Sequence, residues 1–179
     1  MKKSIILSLS LALGFAASAQ KLSTRNAEVS FFSETPVENI AATNKQVSSI
    51  LNLENGEFAF LVPIKAFLFE KALMQEHFNE NYMESGQFPT AKFTGKIAEY
   101  KGLDLKKDGS YKLKLVGTMT MHGVSNEFKQ NVMVNIKDGK LHLESDFIIL
   151  ASDYDIEIPA AKEDNISNSL EVKVNATYE

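Results

Sequence analysis

The sequence predicts an all-β protein of about eight antiparallel strands with one short helix. Three observations support this prediction: apolar and polar residues alternate over most of the chain, Asn-Gly and Asp-Gly pairs separate the alternating runs, and one segment has a helical period instead. Alternation gives each strand one apolar and one wet face, which is the antiparallel pattern. Strands connected in this way either form packed sheets or close into a barrel.

The chain begins with the layout of a secretory signal peptide. Lys2 and Lys3 precede an apolar run over residues 5–16 and an A-x-A cleavage site at residues 17–19. We therefore expect residues 1–19 to be removed and residues 20–179 to form a single domain. Losing the two lysines takes the basic residues from 19 to 17 against 23 acidic ones, a net charge of −6.

The predicted strands follow in order along the mature chain. They cover residues 28–33, 46–53, 58–64, 91–97, 111–121, 128–136, 141–149 and 170–178. The pairs Asn55-Gly56, Asp108-Gly109 and Asp138-Gly139 lie between such runs. These dipeptides tolerate the positive φ that tight hairpin turns require, so they predict three hairpins.

One segment, residues 71–83, has the period of a helix. Met74, Phe78 and Tyr82 recur every four residues among polar neighbours, and the pattern ends near Gly86. This predicts an amphipathic helix of about three turns that covers one open end of the sheet. Such a helix either plugs the core or gates a cavity, and the sequence supports both interpretations equally.

Few residues have the spacing that catalysis or metal binding requires. The chain has no Cys, which excludes disulfide scaffolds and thiol enzymes. His77, His122 and His142 lie far apart, without a metal-ligand spacing, and no nucleophile or phosphate-loop motif is present. A charge of −6 without a basic run argues against nucleic-acid binding, and no apolar run after the signal peptide is long enough to span a membrane.

The apolar faces of the strands are rich in Phe, with twelve Phe and no Trp in the chain. The alternation predicts that five of these Phe side chains point inward, together with the flexible side chains of Met119 and Met121. The five are Phe31, Phe58, Phe60, Phe93 and Phe147. An eight-stranded barrel is either filled by such side chains or holds one small ligand. Composition alone favours the filled core.

Several strings of residues resemble one known family, in the right order and over essentially the whole mature chain. They are residues 73–78, 82–83, 88–95, the string Thr-Met-His-Gly-Val at 120–124, residues 153–156 with Pro159, and residues 166–174. The chain resembles the YceI-like family through them. It departs from the family at Asp155, where Gly is common.

The resemblance implies an eight-stranded, lipocalin-like antiparallel barrel with the helix near one mouth. It also implies a long apolar cavity that binds a polyisoprenoid or similar amphiphile in the bacterial periplasm, without catalysis. Bound isoprenoid lipid or quinone is then the only small molecule expected, and a homodimer is left open. The expected cavity lining is Phe31, Phe58, Phe60, Met74, Phe78, Tyr82, Phe93, Leu115, Met119, Met121 and Phe147. His122 would contact a head group or, with better odds, stabilise a turn.

Two other functions stay open at this point. One is a periplasmic stress or structural protein with a solidly packed barrel and no lipid ligand. The other, least favoured, is an enzyme acting on an apolar substrate with His122 as a general base.

Overall fold

The computed structural model describes residues 21–162 and 164–178 and shows a closed antiparallel β-barrel. The predicted signal peptide lies outside these residues. The strands are β1 (Lys21–Ser33), β2 (Ile40–Asn52), β3 (Glu57–Pro63), β4 (Leu68–Phe69), β5 (Thr90–Ile97), β6 (Gly109–Met121), β7 (Val124–Lys137), β8 (Lys140–Leu150) and β9 (Ser169–Tyr178). Short 3₁₀ turns cover Ile64–Ala66, Ala151–Tyr154 and Ala160–Lys162.

Eight of these strands form the barrel wall, in the order β1-β9-β8-β7-β6-β5-β3-β2, and pairing of β1 with β2 closes it. The two-residue strand β4 is added outside this cycle, on β2. The prediction of an all-β, eight-stranded antiparallel fold is confirmed, and the closed barrel is the form it takes. None of the helices described in residues 21–162 and 164–178 is both long and apolar enough to cross a membrane.

The helix is confirmed near one mouth of the barrel. It consists of α1 (Ala72–His77), which continues directly into a π-helical turn (Phe78–Tyr82). We call this mouth the upper end; it also carries the connections at residues 34–39, 64–89, 122–123 and 151–168. The lower end carries the connections at residues 53–56, 98–108 and 138–139.

Two of the three predicted hairpin turns are confirmed, and one is wrong. Asn55-Gly56 joins β2 to β3 and Asp138-Gly139 joins β7 to β8, with positive φ at Gly56, Asp138 and Gly139. Asp108-Gly109 forms no tight turn, because residues 98–108 are a longer connection that packs back on the barrel. Tyr100 holds it there by donating its hydroxyl hydrogen to the carbonyl oxygen of Leu53 at 2.8 Å.

A tight turn that the sequence analysis did not predict joins β6 to β7 at His122-Gly123. Their φ angles are +50° and +79°, the left-handed values that a two-residue hairpin needs. His is less usual than Asn or Asp at such a position, so the residue types gave a weaker signal than Asp108-Gly109 did.

Strands β1 and β2 start earlier than predicted. In β1 the register shifts between Thr24 and Ala27 and again before Val29, which interrupts the alternation that marks a strand. In β2 the inward position before Gln46 is taken by Asn44, which is fully buried and donates from its side chain to the carbonyl oxygen of Pro63 at 2.7 Å. A polar residue at an inward position hides the strand from a hydrophobicity pattern.

The barrel interior is divided into a filled lower half and a hollow upper half. Buried side chains fill the lower half: Leu22, Leu51, Leu53, Ile97, Val134, Ile136, Leu141, Ala176 and Tyr178. Within it the hydroxyl of Tyr178 donates to Ser49 Oγ at 2.5 Å, and Ser49 donates to the carbonyl oxygen of Ala59 at 2.9 Å. The barrel is therefore filled at its lower end and hollow at its upper end.

Candidate functional site

The upper half of the barrel contains a cavity of about 140 Å³, which we call the inner cavity. Its wall is almost entirely apolar and is built by inward-facing residues of the strands. Phe58 and Phe60 come from β3, Phe93 from β5, Phe128 from β7 and Phe147 from β8. Their rings follow one another around the wall with centroid separations of 5.0, 6.3, 5.8 and 5.0 Å. Such tilted and edge-to-face pairs fix the shape of an apolar wall.

A second space of about 450 Å³, the outer cleft, lies above the inner cavity. Its wall is formed on one side by α1 and the π-helical turn, and on the other by the segment between β8 and β9. Apolar residues such as Leu73, Met74 and Ile158 line it together with polar ones. It lies between the inner cavity and the upper mouth.

Phe31, Phe78, Met83, Ile156 and Leu170 line both spaces and so form the partition between them. The ring of Phe78 is central to this partition. It stacks on Phe31 at 5.6 Å and contacts two further rings, Phe67 at 5.6 Å and Phe69 at 5.0 Å. The π-helical turn that begins at Phe78 therefore places one aromatic side chain between the two spaces.

The polar groups of the outer cleft lie toward solvent. Lys71 forms an ion pair with Glu38, and this hydrogen-bonded carboxylate raises the pKa of the lysine. His77 and Lys162 add two more basic side chains to the same wall. Burial raises the pKa of Tyr82, so its hydroxyl stays neutral well past physiological pH. The cleft thus has an apolar floor and a polar rim.

The structure brings the predicted lining residues together around these two spaces. Phe31, Phe58, Phe60, Phe78, Phe93, Leu115, Met119, Met121 and Phe147 line the inner cavity, while Met74 and Tyr82 line the outer cleft, as Phe31 and Phe78 also do. Phe67 and Ile156 also line the inner cavity but were not predicted, because their segments in the upper connections have no period of two. Ile64 continues the parity of Phe58, Phe60 and Val62 but was not among the predicted lining residues.

His122 lines neither space. Its Nδ1 donates to the carbonyl oxygen of Tyr154 at 3.1 Å, and its Nε2 lies 3.0 Å from the carboxylate of Glu84. Since both partners are acceptors, both contacts are satisfied when both ring nitrogens donate. The ring also packs edge-on against Phe88 at 4.6 Å. These contacts join three segments of the upper rim, which is the role of a structural turn histidine.

Gly123 is required at this turn for two reasons. Its φ is +79°, and a Cβ there would lie 2.8 Å from the ring of Phe88. At the other rim turn Asp155 has φ of +54°, a left-handed conformation that glycine adopts without cost and Asp tolerates. The residue strings that resemble the family therefore contain two kinds of residue: some line the cavity, and others, such as Gly123 and Asp155, form tight turns at the rim.

Comparison with known proteins agrees with this architecture. The model of the YceI-like domain family matches residues 20–178. No curated protein matches the chain in sequence.

Solved structures share the fold. A polyisoprenoid binding domain from Saccharophagus degradans, implicated in plant cell wall breakdown, has a TM-score of 0.75 at 14% identity and covers 90% of this chain and 99% of its own. BcnA of Burkholderia cenocepacia has a TM-score of 0.71 at 14% identity, with 84% and 95% covered. The YCEI protein of Campylobacter jejuni has a TM-score of 0.58 at 17% identity, with 100% and 99% covered.

Proposed function

The chain belongs to the YceI-like family, and we propose that it is a secreted, non-enzymatic protein that carries or scavenges a polyisoprenoid or similar amphiphilic lipid. One observation carries the proposal: an apolar inner cavity adjoins an outer cleft whose rim is polar. This gradient matches an amphiphile with a long apolar tail and a polar head. A structural neighbour described as a polyisoprenoid binding domain supports the same ligand class.

The dimensions indicate how such a ligand lies. The inner cavity of about 140 Å³ is close to the size of an engineered cavity of about 150 Å³ that binds benzene. It accommodates the end of an isoprenoid chain, and the rest occupies the outer cleft of about 450 Å³ once the ring of Phe78, which lies between the two spaces, turns aside. Burial contributes about 0.8 kcal/mol per CH₂ group, so a few isoprene units suffice for tight binding without any reactive group.

The polar rim determines which head groups fit the outer cleft. Among the described residues that line the outer cleft, the basic side chains are Lys71, His77 and Lys162 and the carboxylate is Glu38. A neutral or anionic head group fits this rim better than a cationic one.

Two further observations support a binding role outside the cytoplasm. Among the described residues that line the inner cavity, the sole hydroxyl is that of Ser145, and it donates to the carbonyl oxygen of Asn131 rather than to a base. The residue pattern at 1–19 has the layout of a cleavable signal peptide. We infer export to the periplasm as a free protein.

Native mass spectrometry tests the proposal. The protein is expressed with its own signal in a bacterial periplasm, and the purified product is expected to carry an extra mass that organic extraction removes and identifies as an isoprenoid. Geranylgeraniol and a short-chain quinone are then added to extracted protein. A clean mass together with refusal of both added lipids would contradict the proposal and favour a structural protein without a lipid ligand.

A pair of variants tests whether the lipid binds in the inner cavity. Met119→Trp fills the cavity with a larger side chain, whereas Met133→Trp places the same residue on a partly exposed position of β7. Because the chain has no native Trp, each variant also reports its own folding by fluorescence. Met119→Trp should lose binding of geranylgeraniol and Met133→Trp should keep it.

A further inference from the structure

Strands β7 and β8 separate in the upper half of the barrel. Each keeps its other neighbour throughout the upper half: β7 pairs with β6 from Val124 to Ile136, and β8 pairs with β9 up to Leu150. Between them the ladder covers residues 133–137 and 140–144 and ends at Met133 and Glu144. Residues 124–132 and 145–150 therefore face each other without paired main chains, and we call this gap the seam.

Side-chain hydrogen bonds bridge the seam in place of a ladder. Ser145 Oγ donates to the carbonyl oxygen of Asn131 at 3.1 Å, and Gln130 Nε2 donates to that of Asp146 at 2.8 Å. Near the rim, Asn126 donates to the carbonyl oxygen of Asp153 at 2.6 Å. Each of these bonds can break alone by rotation of one side chain, whereas a β-ladder separates cooperatively.

The inner cavity lies directly behind the seam. Phe128 of β7 and Phe147 of β8 both line it, and their rings meet edge-to-face at 5.0 Å across the gap. On the outside lies a side cleft of about 440 Å³. Phe128 and Ile149 line both the side cleft and the inner cavity. One layer of side chains therefore separates the cavity from solvent at this point.

Strand β8 carries apolar side chains on the outer surface beside the seam, whereas β7 contributes the polar Asn126 and Glu127 to the same side cleft. Strand β8 has inward Phe147 and Ile149, as expected for a barrel wall, but its outward Ile148 and Leu150 are also apolar. Ile148 is 63% exposed and Leu150 is 39% exposed. An antiparallel strand with one wet face ordinarily carries polar residues there. These two side chains give the otherwise largely polar side cleft an apolar edge next to the cavity wall.

We propose that the seam is a lateral portal through which the apolar chain of the ligand enters and leaves the inner cavity. The axial route is obstructed by Phe78, which contacts three other rings. Opening the seam requires rotation of Phe128 and Phe147 and loss of the side-chain bonds from Gln130 and Ser145, and it leaves every pair of the β-ladders intact. This inference rests on the proposed function, since it concerns the same ligand.

Cross-linking tests the portal, because a chain without Cys accepts engineered pairs cleanly. The seam variant is Lys129→Cys with Ile148→Cys, two exposed positions on opposite sides of the gap. The matched control is Val116→Cys with Lys129→Cys, which are direct partners in the β6–β7 ladder. A third variant, Glu38→Cys with Lys71→Cys, joins the residues of the ion pair at the upper mouth.

Each variant is loaded with geranylgeraniol or with the fluorescent chain cis-parinaric acid. A bifunctional thiol reagent with a short flexible spacer then joins the cysteines, and intact mass confirms the link. Release into phosphatidylcholine vesicles is followed over time. The seam cross-link should slow release about tenfold, since changes to one site act mainly on dissociation rates, while the control cross-link leaves it unchanged. Gln130→Ala, which removes one bridge without a cross-link, should accelerate release.

The outcomes separate this inference from the proposed function. If the wild-type protein binds the probes and only the mouth cross-link slows their release, the route is axial and the portal is wrong while lipid binding stands. Equal slowing by the seam and control cross-links would also overturn it, because general rigidity would then be the cause. If the wild-type protein binds neither probe, the proposed function fails and the portal fails with it.

Discussion

Replacing Phe78 with Ala should join the inner cavity to the outer cleft and shift the protein toward longer ligands. Phe78 lines both spaces and fills the partition between them. Without its ring, a chain passes from one space to the other without displacing a side chain. The matched control is Phe69→Ala, because Phe69 contacts the same ring at 5.0 Å but lines the outer cleft alone.

The magnitudes follow from the contacts of Phe78. A fully buried Phe→Ala change costs about 3–5 kcal/mol of folding free energy, but Phe78 is half-buried and its three ring pairs contribute about 0.5–1.5 kcal/mol each. We therefore expect a loss of about 2–3 kcal/mol in stability. If the opening lets even two more CH₂-sized groups be buried, at about 0.8 kcal/mol each, affinity for a long chain rises about tenfold relative to a short one.

The assay compares prenyl alcohols of increasing length. Affinities for geraniol, farnesol and geranylgeraniol are measured on the wild type, Phe78→Ala and Phe69→Ala, with denaturant unfolding as the check on folding. The ratio of geranylgeraniol to geraniol affinity should rise in Phe78→Ala and stay near the wild-type value in Phe69→Ala. A folded Phe78→Ala variant with an unchanged ratio would show that the ring does not partition the site.

Two further predictions concern stability. Burial raises the pKa of Tyr178 well above its ordinary value of about 10. Above pH 10 the phenol therefore stays neutral in the folded protein but ionises in the unfolded chain. The contribution of this burial to stability is full below pH 10 and falls as the pH rises beyond it. Tyr178→Phe should lower the free energy of unfolding by about 1 kcal/mol at neutral pH. In urea titrations from pH 8 to 11, its stability should fall less steeply with pH than that of the wild type. An equally steep fall would show that other groups cause the loss of stability at alkaline pH. His122→Asn keeps a residue that tolerates left-handed φ but loses both hydrogen bonds, so it should cost about 1–3 kcal/mol and leave the affinity for prenyl alcohols and prenyl phosphates alike unchanged. Selective loss of the phosphates would instead identify His122 as a head-group contact.

Most of the strands could be predicted because burial of one face imposes a period of two, as in Phe58, Phe60 and Val62 of β3. The prediction failed where local backbone geometry interrupts that pattern. The bulges of β1 and the buried Asn44 of β2 hid the first halves of both strands. Asp108-Gly109 has the composition of a hairpin turn, but the anchoring of Tyr100 on the barrel determines the course of the chain there.

The candidate site was predictable to the extent that strands build it. Inward parity identified the Phe and Met residues of the wall, whereas the partition depends on a π-helical turn and on residues from irregular connections such as Phe67 and Ile156. The seam could not be foreseen for a related reason. The alternation of β7 and β8 is interrupted by inward Gln130 and Ser145, the two residues whose side chains bridge the seam. A polar residue at an inward position does not by itself say that two neighbouring strands stop pairing there.

The division of the barrel into a filled and a hollow half has a consequence for how the molecule changes over evolutionary time. Free energies of local opening vary across a fold, and they are highest where apolar contacts are densest. In this chain that region is the lower half, around Leu51, Leu141 and Tyr178. Substitutions in the upper half alter the shape of the cavity while the lower half continues to hold the strands in register. Ligand preference can thus diverge between relatives that share only a small part of their sequence.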